Sequence, residues 1–228
     1  MRIAFLGDSL TEGRPGESYL SRLRRLLPGD ELRNGGRAGD TVPALLARIE
    51  HTGLEPADLA VVWIGVNDAF LGDWYLPELD GLLQPHAEPA SGGLGGRDDP
   101  DENGWDGAGA TGHRLRPVYD RILDLVLSRA PLVVCVPPVL PNPFGEDGVA
   151  ERVATLAAMI AGAAAARGER ARVFDLRPAF TQARRDAAGV AGFTIDGVHL
   201  SARGADVVAA AFCDLIAELR DHEAQAAR

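Results

Sequence analysis

The chain has 228 residues, of which 46% are hydrophobic and 25% are charged, and this composition is ordinary for a soluble globular protein. Its formal net charge of −10 at pH 7 argues against a nucleic-acid partner, because nucleic acids select basic surfaces. The sequence contains no apolar run of about 18 residues, so no membrane span is expected.

The length predicts one domain over residues 1–228, with a core of its own and an insertion at about 72–115. The first residues already predict a strand and no signal peptide is visible, so we expect a cytoplasmic location. Secretion stays open if a leader has been trimmed. Cys135 and Cys213 lie in apolar segments without a zinc-type Cys or His pattern, so we expect free thiols and no metal. The oligomeric state is not set by the sequence.

Apolar runs typical of buried strands alternate with segments of helical periodicity. In chain order, the predicted elements are a strand at 2–6, a helix at 18–27, a strand at 31–36, a helix at 42–50, a strand at 59–64, a helix at 116–130, a strand at 131–141, a helix at 149–167, a strand at 171–177 and a helix at 202–221. Five strands separated by helices predict a parallel sheet covered on both faces. Right-handed crossovers make this a three-layer α/β/α sandwich with a doubly wound, flavodoxin-like sheet.

The insertion at 72–115 interrupts the alternation and is rich in glycine and acidic residues. Long loops of this kind in compact domains are usually lids or disordered segments, and we take a lid as the hypothesis. Within it, residues 99–110 imitate the first half of a calcium loop, with acidic, amide and glycine positions at Asp99, Asp101, Asn103 and Gly104. Because Ala110 replaces the expected glutamate, a plain acidic loop is favoured over calcium binding.

Polar residues follow the carboxyl ends of the predicted strands. Ser9 follows the first strand, Gly39 the second and Asn67 the third, while Asp196 and His199 come after the fifth. The carboxyl ends of parallel strands lie along one edge of a sheet, where ligands bind in open α/β folds. We therefore expect these residues to meet in one cleft.

Acyl transfer needs a hydroxyl nucleophile, a base, a carboxylate that orients the base, and donors for the oxyanion. Ser9, His199 and Asp196 supply the first three, and the N–H groups of Ser9 and Gly39 with the Asn67 amide supply the donors. Each residue alone also has a structural explanation, such as a helix cap, an Asx-turn or an ordinary buried histidine. Their joint presence at corresponding strand ends favours catalysis.

Four segments resemble the sequence blocks of the SGNH hydrolases, also called the GDSL esterase/lipase family. They are "GDSL", "NGGRAGDT", "GVND" and "DGVHLS", and they occur in the family order along nearly the whole chain. The resemblance implies the SGNH hydrolase fold and hydrolysis of esters or thioesters without a cofactor. It implies that Ser9 is the nucleophile, that Gly39 and Asn67 donate to the oxyanion, and that Asp196 and His199 complete the triad. The insertion departs from a compact member of the family.

The substrate pocket is harder to assign from sequence. Asp8, Phe70, Trp74 and Pro138 are the candidate substrate contacts. Asp8 is also expected to order the turn beneath Ser9, while Phe70 and Trp74 either wall an acyl pocket or pin the insertion to the core. Pro138 ends a strand near the same edge and could shape the cleft.

The favoured function is a serine hydrolase that cleaves small-molecule acyl esters. A carbohydrate O-deacetylase and an acyl-CoA thioesterase remain alternatives on the same site, because a triad does not select the leaving group. A non-catalytic small-ligand binding module is an alternative of another class. A metal-dependent hydrolase built on Asp8, Asp40 and Asp68 is a further alternative, with no metal expected in the favoured mechanism.

Overall fold

One parallel sheet forms the centre of the protein in a computed structural model that describes residues 1–72, 107–140, 148–186 and 192–226. Its strands are β1 (Arg2–Gly7), β2 (Glu31–Gly36), β3 (Leu59–Trp63), β4 (Val133–Val136) and β5 (Ala171–Val173). The strand order is β2–β1–β3–β4–β5, and all neighbours are parallel. This is the flavodoxin-like order with its switch point beside β1, and it confirms the predicted doubly wound sheet.

Helices follow the strands and cover the sheet. They are α1 (Ser9–Glu12), α2 (Tyr19–Leu26), α3 (Val42–Thr52), α4 (Val66–Leu71), α5 (Gly107–Leu127), α6 (Val149–Ala165), α7 (Arg177–Asp186) and α8 (Ala202–Ala226). Side-chain oxygens of Ser18 and Thr41 cap α2 and α3, which explains why these helices begin where they do. Within the described residues, no helix combines the length and apolarity needed to cross a bilayer.

Two apolar cores lie on opposite faces of the sheet, because successive side chains of a strand point to opposite faces. Val62 and its neighbours pack against α3, α5 and α6, and Val61 packs in the cluster that contains α2 and α8. An aromatic group that includes Phe5, Tyr19 and Phe212 fills the second core. The strands are therefore buried on both faces, which confirms the predicted three layers.

The boundaries of α5, β4 and β5 differ from prediction. Of the strand predicted over 131–141, only Val133–Val136 forms β4. The predicted helix at 116–130 begins at Gly107, nine residues earlier, because glycines that indicated a loop are tolerated in a packed helix. A Cβ at Gly112 would lie 2.8 Å from Thr155 Cγ2, so this glycine allows α5 and α6 to approach closely. The strand predicted over 171–177 ends at Val173 and is followed by the unpredicted helix α7.

The structure describes only part of the predicted insertion at 72–115. Residues 107–115 belong to α5, while 73–106 lie outside the described residues. The calcium-loop positions at 99–104 and the candidate contact Trp74 lie outside them as well.

Candidate active site

Ser9 lies at a tight turn between β1 and α1. A Cβ on Gly7 would lie 2.2 Å from the Trp63 carbonyl oxygen and 2.5 Å from Thr11 Oγ1, so only glycine fits at this crossing. Asp8 then caps α1 by accepting the Leu10 N–H at 2.9 Å. The turn makes Ser9 the first residue of the helix, where its backbone N–H has no acceptor within the helix.

A short loop before α8 positions the second part of the site. Thr194 and Leu200 form an antiparallel bridge, and the Ile195 N–H donates to the His199 carbonyl at 2.9 Å. Gly197 allows the reversal because its φ is +96°. The loop is therefore closed on itself, with its two functional side chains on either side of the turn.

Asp196 holds both the loop and the imidazole of His199. Its Oδ1 accepts the N–H groups of Val198 at 3.0 Å and of His199 at 2.8 Å, and its Oδ2 lies 2.6 Å from His199 Nδ1. Burial opposes ionisation of this carboxyl, but these hydrogen bonds outweigh burial and hold the pKa of Asp196 below its usual value. The carboxylate is thus ionised and fixes the ring from one side.

The other ring nitrogen of His199 faces the strand-end serine. Ser9 Oγ lies 3.0 Å from His199 Nε2, although the two residues are 190 positions apart in sequence. With Nδ1 donating to Asp196, Nε2 is free to accept the Ser9 hydroxyl proton. The structure brings these three predicted residues together in hydrogen-bonded order.

The segment after α1 holds this loop beside Ser9. The Glu17 N–H donates to the Leu200 carbonyl at 2.9 Å. A Cβ on Gly16, whose φ is +101°, would lie 2.7 Å from that carbonyl oxygen and 3.2 Å from His199 Cβ. The chain that carries Ser9 therefore packs directly on the chain that carries His199, which sets the distance between them.

Gly39, the second predicted oxyanion donor, differs from its loop neighbours in the hydrogen bonding of its backbone N–H. In the loop 37–40, the other three N–H groups have acceptors within the protein: Arg37 donates to Gly7 O at 3.0 Å, Ala38 to Glu12 Oε2 at 2.6 Å and Asp40 to Arg37 O at 3.2 Å. Among the described residues, no acceptor is found for the Gly39 N–H. Its φ of +81° is left-handed, which disfavours any other residue even though a Cβ would meet open space.

Asn67 lies in the first turn of α4, immediately after β3. Its Nδ2 donates to the Asp40 carbonyl at 2.8 Å, which orients the amide toward the loop 37–40. An amide nitrogen carries two N–H groups, so the second is the candidate donor to an oxyanion. Gly65, the N-cap of α4, has a φ of +117° and allows this sharp change of direction after the strand.

Asp8 is buried beneath Ser9, with only 1% of its surface exposed. Burial raises the pKa of Asp8 to about 7, the Leu10 N–H opposes this effect, and the nearby Asp68 and Asp40 carboxylates add to it. Its Oδ2 has no hydrogen-bond partner among the described residues. The structure thus places this candidate substrate contact under the nucleophile, as the helix cap.

The buried carboxyl of Asp8 makes folding stability depend on pH. Because its folded-state pKa is above the unfolded value, stabilisation is full below about pH 4 and is lost as pH rises through about 7. Asp8→Asn keeps a good helix cap and removes this loss, which amounts to about 4 kcal/mol. Urea unfolding from pH 4 to 8 should show a flatter stability profile for the variant than for the wild type.

Asp58 provides the control for this measurement. It is an exposed carboxylate whose pKa is lowered by hydrogen bonds from the Arg2 N–H and guanidinium, so Asp58→Asn should leave the slope between pH 4 and 7 unchanged. An equal slope in the wild type and Asp8→Asn would mean that Asp8 does not take up a proton in this range.

The two remaining candidate substrate contacts in the described residues, Pro138 and Phe70, both pack against the protein interior. Pro138 is buried, and a Cβ on Gly65 would lie 3.6 Å from its Cγ, so it packs under the start of α4. Phe70 is half-buried and packs against both apolar cores.

The three carboxylates of the metal-hydrolase alternative each have a protein partner. Asp40 pairs with Arg48, Asp68 accepts the Val42 N–H with both oxygens at 3.1 Å, and Asp8 accepts from Leu10. In the parts of the chain that the structure describes, no group of three or more His, Cys, Asp or Glu side chains is placed to hold a metal ion.

Sequence reasoning missed two residues that hold the loop 37–40. Glu12 accepts the Ala38 N–H, and Arg48 pairs with Asp40 at 2.8 Å. Glu12 carried a weak signal, because it lies one helical turn after Ser9. Arg48 carried none, since its contacts depend on how α3 packs against the strand ends.

Solved structures with the same fold are similar over nearly their full length. LAE5, an alpha/beta hydrolase enzyme from the metagenome of Lake Arreo, Spain, is 21% identical with a TM-score of 0.63, covering 92% of each chain. Axe2, an acetylxylan esterase from Geobacillus stearothermophilus, is 19% identical with a TM-score of 0.63, covering 92% of this chain and 91% of its own. The acetyl xylan esterase AlAXEase is 18% identical with a TM-score of 0.66, covering 95% and 100%.

Sequence comparison extends this likeness from fold to family. A search of curated proteins found no significant match. The profile of the GDSL-like Lipase/Acylhydrolase family, in contrast, matches residues 5–207, a span that includes every residue of the site described above. This match confirms the resemblance drawn from the four sequence blocks. The chain belongs to the GDSL-like lipase/acylhydrolase family and is a carboxylic ester hydrolase.

Proposed function

We propose that this enzyme hydrolyses small acyl esters through an acyl-enzyme formed on Ser9. The observation that carries the proposal is the continuous hydrogen-bonded series from Ser9 Oγ through His199 to Asp196, at 3.0 and 2.6 Å. A nucleophile, a base and an orienting carboxylate in this order are what serine acyl transfer requires. A binding module has no need for such a series.

In the first step, Ser9 Oγ attacks the ester carbonyl while His199 Nε2 takes the hydroxyl proton. The imidazolium that forms is stabilised by the ionised Asp196 on its Nδ1 side. The C–O bond to the leaving alcohol then breaks, and His199 returns the proton to the alkoxide. The products of this half-reaction are a free alcohol and an acyl group on Ser9.

The tetrahedral oxyanion is stabilised by three donors, the N–H groups of Ser9 and Gly39 and the Asn67 amide. Each lies at the carboxyl end of a different strand, β1, β2 or β3, so the sheet fixes their spacing. In the second step, water repeats the attack on the acyl-enzyme with His199 as base. Carboxylic acid is released and the Ser9 proton is restored.

Asn67→Ala is expected to fold normally and to lose about 10²–10³ in kcat, because one oxyanion donor is removed. Steady-state kinetics on a p-nitrophenyl ester would measure the loss. Gln182→Ala, which removes an exposed amide paired with Asp186, is the control and should match the wild type. Full activity in Asn67→Ala would exclude the amide from the mechanism.

A ladder of p-nitrophenyl esters from acetate to palmitate tests the proposed substrate class. Turnover of the short esters with little turnover of the long ones would support small acyl groups. Preference for the palmitate ester would contradict this substrate class and indicate that the enzyme acts on long-chain acyl esters. Inactivity on every ester of the ladder would count against a general esterase.

Carbohydrate O-deacetylation is the second candidate function. Two of the solved structures that share the fold are described as acetylxylan esterases. This description favours a sugar as the leaving alcohol and acetyl as the transferred group. Release of acetate from acetylated xylo-oligosaccharides, compared with p-nitrophenyl acetate, would separate the two functions. A higher kcat/KM on the sugar would assign the deacetylase, and no release from it would exclude that substrate.

A further inference from the structure

The side chain of Arg48 joins three segments that carry the site. From α3, its guanidinium donates to the Gly35 carbonyl at the end of β2 at 2.9 Å and to the Gly7 carbonyl at the end of β1 at 3.4 Å. It also pairs with the Asp40 carboxylate, with Nε at 2.9 Å. Arg48 therefore ties the strand end that leads to Ser9 to the loop that carries Gly39.

Asp40 is where the candidate oxyanion donors converge. Its carboxylate holds Arg48, its N–H closes the turn onto Arg37, and its carbonyl accepts the Asn67 amide. Gly39 is its neighbour in the chain. A shift of Asp40 would consequently move both donors that lie outside the Ser9 turn.

The Arg48 guanidinium also balances the negative charge of the Asp40 carboxylate, which is buried close to other acidic side chains. Asp40 is 6% exposed, and Asp8 and Asp68, which are 1% and 0% exposed, lie close enough for the Asp40 and Asp68 charges to influence Asp8. Without Arg48, the Asp40 carboxylate would be left unpaired among like charges. A buried charge that loses its partner is strongly destabilising, so the loop that holds Asp40 would be disturbed.

We infer that Arg48, acting through Asp40, is a positioning residue that holds Gly39 and Asn67 in the geometry needed to bind the oxyanion. The inference rests on the proposed function. Arg48 makes its contacts with the protein itself, and it affects the transition state only through the loop. Its loss should therefore lower kcat while KM for a small ester changes little.

Arg48→Ala is expected to lower kcat by about 10- to 100-fold, the effect of misplacing catalytic groups by about 1 Å. Arg48→Lys should be intermediate, because a single ammonium cannot reproduce the fork that binds several acceptors. Arg167→Ala is the matched control, since Arg167, which follows the end of α6, forms comparable ion pairs with Asp120 and Asp124 of α5. It should leave kcat unchanged after correction for the folded fraction.

A double-mutant cycle with Asn67→Ala separates positioning from general destabilisation. If Arg48 acts through the oxyanion donors, the double variant should lose less kcat than the product of the two single losses. A multiplicative loss, or a kcat of Arg48→Ala equal to that of the control, would overturn the inference. If Arg48→Ala does not fold, Asp40→Ala removes the same ion pair without leaving a buried unpaired carboxylate, and a wild-type kcat in that variant would overturn it equally.

Labelling with a fluorophosphonate keeps this inference separate from the proposed function. Absence of a wild-type adduct on Ser9 would refute the serine mechanism, and the positioning inference with it. A wild-type adduct together with unchanged kinetics in Arg48→Ala would refute the positioning inference alone.

Discussion

Ser9→Ala is expected to fold like the wild type and to lose ester hydrolysis almost completely, by roughly 10⁶ in kcat, as in other serine triads without their nucleophile. Ser9 is 3% exposed, and among the described residues its hydroxyl forms one side-chain hydrogen bond, with His199 Nε2, so removal of this small group should leave the surrounding packing intact. The backbone N–H of residue 9 also remains. The residual activity should therefore come from binding and the oxyanion donors alone.

Two measurements make this expectation specific to Ser9. Ser128→Ala removes another hydroxyl, one that donates to the Leu125 carbonyl near the end of α5, and it should keep full activity. A fluorophosphonate should add its mass to the peptide that contains Ser9 in the wild type and not in Ser9→Ala. Wild-type activity in Ser9→Ala would mean that another residue is the nucleophile and would refute the proposed mechanism.

The sheet could be predicted because its strands are buried on both faces. Two segments are continuous apolar runs without the polar positions of an amphipathic helix, Leu59 to Trp63 and Val133 to Val136. Both form strands as expected. The helix α5 begins earlier than predicted because its glycines indicate a loop when local propensity is considered alone. Packing against α6 overrides that propensity, and packing partners are not visible in sequence.

The site shows the same division between local and long-range information. Ser9, Gly39 and Asn67 could be located because each follows a strand, and parallel strands end at one edge. Asp196 and His199 could be paired because a turn of three residues brings them together.

Arg48 could not be found in this way, since its acceptors Gly7, Gly35 and Asp40 come from three segments that meet only in the folded chain. The positions of the candidate oxyanion donors follow from the strand ends. The side chains that hold those donors in place are predictable only from tertiary structure.

Asp196→Asn should separate the charge of the carboxylate from its role in the loop. The Asn oxygen can still accept the N–H groups of Val198 and His199, so the turn should persist. Its amide nitrogen, in contrast, can donate to His199 Nδ1 and place the proton on Nε2, the nitrogen that must accept from Ser9. The wrong tautomer in an intact site costs about 10⁴ in kcat in comparable triads.

Asp175→Asn is a close structural match for this variant, because Asp175 Oδ1 accepts the N–H of Arg177 two residues later, as Asp196 accepts that of Val198. The pKa of Asp175 is also lowered, against burial, by hydrogen bonds and the charge of Arg177. Both variants should have similar thermal stability, and only Asp196→Asn should lose kcat. Equal activity of the two would mean that Asp196 shapes its loop without orienting the imidazole, and the catalytic series would then end at His199.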